Sequence, residues 1–291
     1  MKVRFQSSTS QHAILIAPAL VIFTLGMIVP IFLGIYYSMT NWNGLSREFN
    51  FVWLKNYSRI LTDPKCLDAL RFTIQFVILN TLVQNVLALA FTIILDTRIK
   101  TKTLYRTIIF APVLLSPILV GYLWKVIFAK LLPNITQMLG VNWDLRLLAH
   151  PSTVLLGVVI INNWQWIGYW MMVYLAALQS IPKELYEAAE IDGAAKWHKF
   201  WHITLPMVAP AITVCVVAIT LGSFRVYEVL VTSTAGGPGH ASESIVYYTF
   251  QMGFGAQQPA YASAISMVYL LFLLSVAVGQ LCFFRKREVQ L

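Results

Sequence analysis

Six long apolar stretches alternate with short polar segments along the chain. A helix that crosses the hydrocarbon core of a bilayer needs about 20 mainly apolar residues. The first stretch follows Lys2 and Arg4, but it is much longer than the roughly 7–15-residue apolar core of a cleavable signal peptide. We therefore expect an all-α integral membrane protein with one domain over residues 1–291 and six transmembrane helices, at about 13–39, 72–95, 107–129, 154–177, 205–231 and 262–284.

Composition agrees with this pattern and argues against a soluble domain. Hydrophobic residues make up 58% of the chain and charged residues only 11%, whereas soluble domains carry roughly 25% charged residues. The net charge of +9 does not indicate a nucleic-acid partner, because the basic residues are spread over short segments between apolar stretches. Cys66, Cys215 and Cys282 are odd in number and far apart, which predicts neither a disulfide framework nor a metal cluster.

The distribution of basic residues predicts the orientation. Six spans place both termini on one side of the membrane, and the loops of that side carry more Lys and Arg than those of the other side. Cytoplasmic loops are enriched in these residues. We therefore expect both termini, and with them the 178–204 loop, to be cytoplasmic.

The 178–204 loop predicts a short helix, a break and a second helix that leads into the fifth span. Pro182 suits the start of a helix, where its missing N–H costs nothing. Glu184 follows in the first turn, where a carboxylate favours the positive helix end. Gly193 is a natural helix stop. A helix of about ten residues is only about 15 Å long, so this one is too short to span the membrane.

This loop carries a family resemblance. Glu187-Ala188-Ala189, Gly193 and the later Ile203-x-Leu205-Pro206 are spaced as in the signature of the inner-membrane permeases of bacterial ABC importers, which the sequence resembles. The likeness extends over nearly the whole chain and is greatest to the sugar-type branch, within it to the maltose-permease F-type subunit. It rests on Ala17-Pro18-Ala19, Asn41-Trp42, Leu54-Lys55-Asn56-Tyr57, Ser223-Phe224-Arg225-x-Tyr227-Glu228 and Gly236-Gly237-Pro238.

Two positions depart from the family pattern. Trp53 stands where relatives often have Gly, and Glu228 stands where they usually have Asp. Both departures weaken the transfer of residue roles around them, and neither alters the resemblance as a whole.

The resemblance implies the type I importer permease fold and a set of partners. The 178–204 loop would be a coupling helix that docks on an ATPase. The expected partners are a second homologous permease, two cytoplasmic ATP-binding subunits that hold ATP-Mg, and an extracytoplasmic sugar-binding protein, assembled in a bacterial inner membrane. No cofactor is expected in this chain. The residues implied at the ATPase interface are Glu187, Ala188, Ala189, Asp192, Gly193, Leu205 and Pro206.

Polar residues within the spans are candidates for a substrate path, because exposing them to lipid is costly. The candidates are Asn80, Gln84, Asn163, Trp166, Tyr169, Arg225, Tyr227 and Glu228. Two other interpretations stay open. Amides also join helices inside membranes, which we favour slightly for Asn85 and Asn162. Arg225 and Glu228, three residues apart on one predicted helix, could instead form an ion pair at the membrane boundary.

Other functional classes lack their usual residues. A self-sufficient secondary transporter would need acidic residues at the middle of the membrane, and the sequence predicts none there. The sequence has no Gly-x-Ser-x-Gly and no His-Glu-x-x-His motif, so no catalytic residue is predicted. His198 and His202 have the spacing of a metal-binding pair, but no third ligand is nearby and two lysines adjoin them. We therefore expect no metal site.

Overall fold

The structure, a computed structural model, describes residues 9–96, 101–141 and 143–285. Regular structure in these ranges is helical, with one isolated antiparallel bridge between Thr40 and Phe51. Helix α1 consists of Thr9–Phe23, a π turn at Thr24–Ile28 and Val29–Ser38. The helices that follow it are α2 (Lys55–Thr62), α3 (Pro64–Leu95), α4 (Lys102–Phe110), α5 (Pro117–Met138), α6 (Val154–Gln179), α7 (Lys183–Ile191), α8 (Lys196–Ser223), α9 (Glu228–Ser233), α10 (Ile245–Phe250) and α11 (Pro259–Arg285).

Five helices of the described chain are long and apolar enough to cross a membrane by length and composition. They are Ile16–Ser38 within α1, α3, α5, α8 and Pro259–Phe284 within α11. The remaining predicted span corresponds to α6, which has 26 residues. Its middle turns carry Asn162, Asn163 and Gln165, so its composition alone is less apolar.

The third predicted span, 107–129, is wrong as a single helix. Helix α4 ends at Phe110, a 3₁₀ turn covers Ala111–Leu114, and α5 starts at Pro117. Proline restricts the residue before it to extended conformations, and Ser116 has φ −66° and ψ 143°. The Ser116 hydroxyl then accepts a hydrogen bond from the Leu119 N–H, which caps α5.

The fifth predicted span, 205–231, is also interrupted. Helix α8 begins earlier, at Lys196, and ends at Ser223, whereas α9 begins only at Glu228. Tyr227 has φ −145° and ψ −62°, which breaks the helical path. Arg225 lies in this break, so the expectation that Arg225 and Glu228 share one helix face is wrong.

The chain forms two compact units. The first consists of Met1–Asp63 and Thr249–Leu270, and the second of Pro64–Tyr248 and Leu271–Leu291. Neither unit is a continuous segment, and the expectation of one membrane domain stays a prediction. In the second unit, α3, α6 and α8 pack around a core that includes Ala88, Ile167, Tyr174, Val208 and Cys215.

Helix α6 is largely enclosed within the second unit. Val154, Val158, Ile161 and Met171 on it are fully buried. This packing keeps the polar middle of α6 among protein side chains, where amides find hydrogen-bond partners that lipid does not offer.

Candidate functional site

A cluster of amide side chains joins α3, α6 and α8. The Nδ2 of Asn80 donates to Ser223 Oγ at 2.8 Å and lies 3.3 Å from Gln84 Oε1. Asn163 Nδ2 donates to Asn80 Oδ1 at 2.9 Å. Asn80 is fully buried and Asn163 is 5% exposed. Both side chains therefore serve helix packing, one of the two roles that the sequence left open.

Asn85 links α3 to α6 in a similar way. Its Oδ1 accepts a hydrogen bond from the Tyr174 hydroxyl at 2.7 Å, and its Nδ2 donates to the Thr81 carbonyl. This geometry agrees with the helix-joining role expected for Asn85. About two turns further along α3, Thr92 Oγ1 donates to the carbonyl of Met171 on α6 at 3.0 Å.

The adjacent residues Asn162 and Asn163 provide a matched test of the amide cluster. We expect Asn163→Leu to lower the stability of the purified chain by about 1–2 kcal/mol, because Asn80 Oδ1 loses its donor in a water-free interior. Asn162 has no hydrogen bond from its side chain within the described residues, so Asn162→Leu should change stability little. Thermal unfolding of the two variants in one detergent measures the difference, and equal losses would contradict the assignment.

A cleft of about 310 Å³ opens beside the amide cluster, where α3, α6, α8 and the 224–227 break meet. We call it the central cleft. It contains five of the eight predicted substrate-path residues, together with Trp170 and Asn162. A helix-joining role was favoured for Asn162, but its side chain makes no hydrogen bond to another helix among the described residues. Its polar and aromatic lining residues are Gln84, Asn162, Trp166, Trp170, Ser223, Arg225, Tyr227 and Glu228.

Three of the predicted substrate-path residues lie elsewhere. Asn80 and Asn163 form the amide cluster and are absent from the lining of the central cleft. Tyr169 is 44% exposed and packs edge-on against Trp170, also outside the lining. A spacing of four residues along α6 puts Asn162, Trp166 and Trp170 on one helix face. That periodicity was the sequence signal that could have placed Asn162 and Trp170 in the substrate path with Trp166.

The central cleft offers hydrogen-bonding groups that neighbouring side chains do not use. The Nε2 of Gln84 is buried and has no hydrogen-bond partner among the described residues. Arg225 and Glu228 are both exposed, and no ion pair within the described ranges includes either of them. An amide donor, a guanidinium and a carboxylate together can bind the donors and acceptors of a polyhydroxy solute.

The 178–204 loop has the predicted helix–break–helix structure. Pro182 is extended, with ψ 131°, and directly precedes the first residue of α7, and Glu184 lies in the first turn. Gly193 ends α7 with φ +73°, a conformation that L side chains other than Asn rarely adopt. The Ala194 N–H then donates to the Ala189 carbonyl at 2.9 Å. Backbone hydrogen bonds therefore close the end of α7.

Two side-chain contacts attach α7 to the start of α8. Lys199 Nζ contacts Glu190 Oε1 at 2.7 Å, and the hydrogen bond from Lys199 holds the pKa of the Glu190 carboxyl below its ordinary value. The Tyr186 hydroxyl lies 2.9 Å from Thr204 Oγ1. These contacts tie α7 to α8 at both the exposed and the buried side of the loop.

The residues that the sequence placed at an ATPase interface fall into two groups. Glu187, Ala188, Asp192 and Gly193 are exposed and Ala189 is half-buried. Leu205 and Pro206 are half-buried in α8, so they support the loop rather than form its surface. Ile191, which was not singled out for this surface, is 87% exposed. Ile191 and Ala188 therefore add exposed apolar area to the surface of α7.

Known proteins of similar sequence match most or all of this chain. Residues 84–287 match the family described as binding-protein-dependent transport system inner membrane component. The probable starch degradation products transport system permease protein AmyD of Thermoanaerobacterium thermosulfurigenes is 31% identical over 290 residues, which cover 100% of this chain and 99% of that protein. The multiple sugar-binding transport system permease protein MsmF of Streptococcus mutans is 31% identical over 89% of this chain and 90% of its own length.

Solved structures show the same fold. A chain in the crystal structure of a bacterial ABC transporter involved in the import of the acidic polysaccharide alginate aligns with a TM-score of 0.82 at 21% identity, over 94% of each chain. The alginate transporter in complex with a pentasaccharide-bound periplasmic protein aligns with a TM-score of 0.83 at 19% identity, over 94% of this chain and 93% of that one. The expected type I importer permease fold is confirmed. The chain therefore belongs to the family of binding-protein-dependent transport system inner membrane components, and it is a multi-pass membrane subunit of a transporter rather than an enzyme.

Proposed function

We propose that this chain is one of two permease subunits of an importer for a sugar or oligosaccharide, with two cytoplasmic ATPase subunits that bind ATP-Mg and an extracytoplasmic sugar-binding protein. The names of the relatives, which concern starch degradation products and multiple sugars, support the solute class. Both termini and the 178–204 loop would face the cytoplasm, because basic residues are concentrated on that side.

The central cleft would be this subunit's share of the solute path. A sugar ring presents apolar C–H faces and a rim of hydroxyls. Trp166 and Trp170 offer aromatic surface for the faces, and Gln84 and Asn162 offer amides for the hydroxyls. Arg225, in the 224–227 break, and Glu228, at the start of α9, add a donor and an acceptor.

One observation carries the proposed coupling to ATP hydrolysis. Helix α8 starts beside α7, contacts it through Lys199 and Thr204, and ends at Ser223 in the amide cluster next to the central cleft. It has 28 residues and is therefore about 42 Å long. A displacement of α7 by a cytoplasmic ATPase would reach the cleft through this helix. Alternating access requires such an element with two packing arrangements.

Replacement of one tryptophan in the central cleft tests the proposal. In liposomes that contain this chain with its co-purified permease and ATPase partners, we expect Trp166→Ala to reduce ATP-driven, binding-protein-dependent sugar uptake at least about tenfold, the equivalent of 1.4 kcal/mol. Trp143→Ala removes a 70% exposed tryptophan from a loop and serves as the matched control.

Three results would contradict the proposal. Uptake that survives Trp166→Ala would remove the central cleft from the solute path. Uptake by the chain alone, without an ATPase, would make it a self-sufficient carrier. Purification from native membranes without a second permease or an ATPase would contradict the proposed assembly.

A further inference from the structure

A second polar cleft, of about 580 Å³, lies within the first compact unit. It is formed by the segment between α1 and α3 and by the segment that leads into α11. We call it the outer cleft. Its polar and charged lining residues are Asn41, Asn43, Lys55, Asn56, Ser58, Arg59, Thr62, Gln257 and Gln258.

The walls of the outer cleft are held together by specific contacts between the two segments. Arg59 Nη1 donates to Gln258 Oε1 at 2.8 Å, and its guanidinium lies 3.9 Å above the ring of Tyr261. The Tyr261 hydroxyl donates to Asp63 Oδ2 at 2.8 Å. Tyr261 is only 2% exposed. These contacts preorganise the cleft, which lowers the entropic cost of binding a ligand there.

Hydrogen bonds within the protein already occupy amide oxygens that line the outer cleft. Asn41 Oδ1 accepts from the Asn50 N–H at 2.7 Å, and Asn43 Oδ1 accepts from the N–H groups of Leu45 and Ser46. The Nδ2 groups of Asn41 and Asn43, and the Lys55 ammonium, make no hydrogen bond with the residues that the structure describes. Lys55 and Arg59 are four residues apart on α2 and so share a face. The outer cleft is therefore positively charged and rich in donors.

This chemistry fits an anionic group better than a neutral sugar ring. A sugar would use an open aromatic face, but Tyr261 is buried and Trp42 already stacks on Tyr37 with ring centroids 4.5 Å apart. The indole Nε1 of Trp42 also donates to the Ser46 carbonyl at 3.1 Å. A carboxylate, which only accepts hydrogen bonds, matches an ammonium beside amide donors.

We infer that the outer cleft receives an aspartate or glutamate side chain of the substrate-binding protein when that protein docks on the transporter. The inference rests on the proposed function, because it needs both the binding-protein partner and the proposed orientation. In that orientation both segments of the cleft lie in loops on the extracytoplasmic side, where the binding protein arrives. Charge-assisted hydrogen bonds to a carboxylate would add affinity and fix the register of docking.

Charge reversal in the outer cleft tests the inference. The assembled transporter is reconstituted in nanodiscs of phosphatidylcholine, and its ATPase rate is titrated with the substrate-loaded binding protein that is encoded with it. We expect Lys55→Glu to raise the concentration needed for half-maximal stimulation at least about tenfold, and Lys55→Gln to raise it less. Arg47→Glu makes the same charge change in the same loop, outside the lining of the cleft. It should raise the concentration for half-maximal stimulation less than about twofold.

The possible outcomes distinguish a failure of this inference from a failure of the proposed function. A Lys-for-acid replacement in the binding protein that restores docking to Lys55→Glu, and not to Arg47→Glu, would confirm a direct pair. Equal shifts for Lys55→Glu and Arg47→Glu, or no shift, would overturn the inference and leave the proposed function intact. A shift that appears only when phosphatidylglycerol replaces phosphatidylcholine would assign the cleft to a lipid phosphate instead. If the binding protein does not stimulate the unaltered transporter, the proposed function itself fails.

Discussion

Replacement of Gly193 by proline is expected to abolish ATP-driven uptake and to leave the chain inserted in the membrane. Gly193 ends α7 with φ +73°, and proline is restricted to φ near −65°. The backbone must therefore change direction between α7 and α8. Because no side chain or backbone outside the loop lies within 4 Å of a Cβ at this position, the disturbance stays in the loop and does not reach the core.

A matched variant at the same position separates backbone geometry from side-chain volume. Asparagine adopts the left-handed conformation at modest cost, so Gly193→Asn should retain most of the uptake that Gly193→Pro loses. The measurement is sugar uptake together with ATPase rate in reconstituted transporter of equal subunit content. Continued ATP hydrolysis without uptake is the expected result for Gly193→Pro. Normal uptake by Gly193→Pro would remove α7 from the coupling mechanism.

The second large effect is expected at Gly168, in the middle of α6. A Cβ at this position would lie 2.3 Å from the carbonyl oxygen of Ile109 and 2.6 Å from the Cα of Phe110. Both atoms belong to the backbone of α4, so neither can move aside as a flexible side chain would. Gly168→Ala must therefore separate α4 from α6, at a cost of about 3 kcal/mol, near the upper end of ordinary overpacking.

The yield and the melting temperature of the purified chain measure this effect. We expect Gly168→Ala to aggregate or to melt well below the unaltered chain. Gly279→Ala is the matched control, because it is also a glycine within a long helix and nothing lies within 4 Å of its Cβ position. A Gly168→Ala chain as stable as the Gly279→Ala chain would show that α4 and α6 are not in close contact.

The effects expected at Gly193 and Asn163 both involve helix α8 of the second unit. Helix α8 connects α7, through Lys199 and Thr204, to the amide cluster at Ser223. Contacts at its two ends differ in kind: an ion pair and a hydroxyl pair at the end next to α7, and buried amides at the other. Variants at Gly193 change the loop in which α7 joins α8, whereas variants at Asn163 change the packing of α6 against α3 next to the far end of α8.

The sequence by itself determined the elements whose formation depends on composition or on residues close together in the chain. Transfer of about 20 apolar residues into hydrocarbon depends on composition alone, so spans such as 262–284 are found within a few residues of their structural counterparts. Helix capping is also local: Pro182 and Gly193 mark the two ends of α7 as expected. The signature residues around Glu187 identified the family for the same reason, since their spacing reflects a short motif.

Only the tertiary structure decided where helices break and which polar groups are available. Hydropathy along the sequence does not show where α4 and α8 end, because the residues around Pro112 and Arg225 are apolar enough to continue a span. Asn162 and Asn163 are identical in type and adjacent, yet one lines the central cleft and the other joins α6 to α3. An amide can bind a solute or a neighbouring helix, and its choice depends on which partner the packing brings within hydrogen-bond distance.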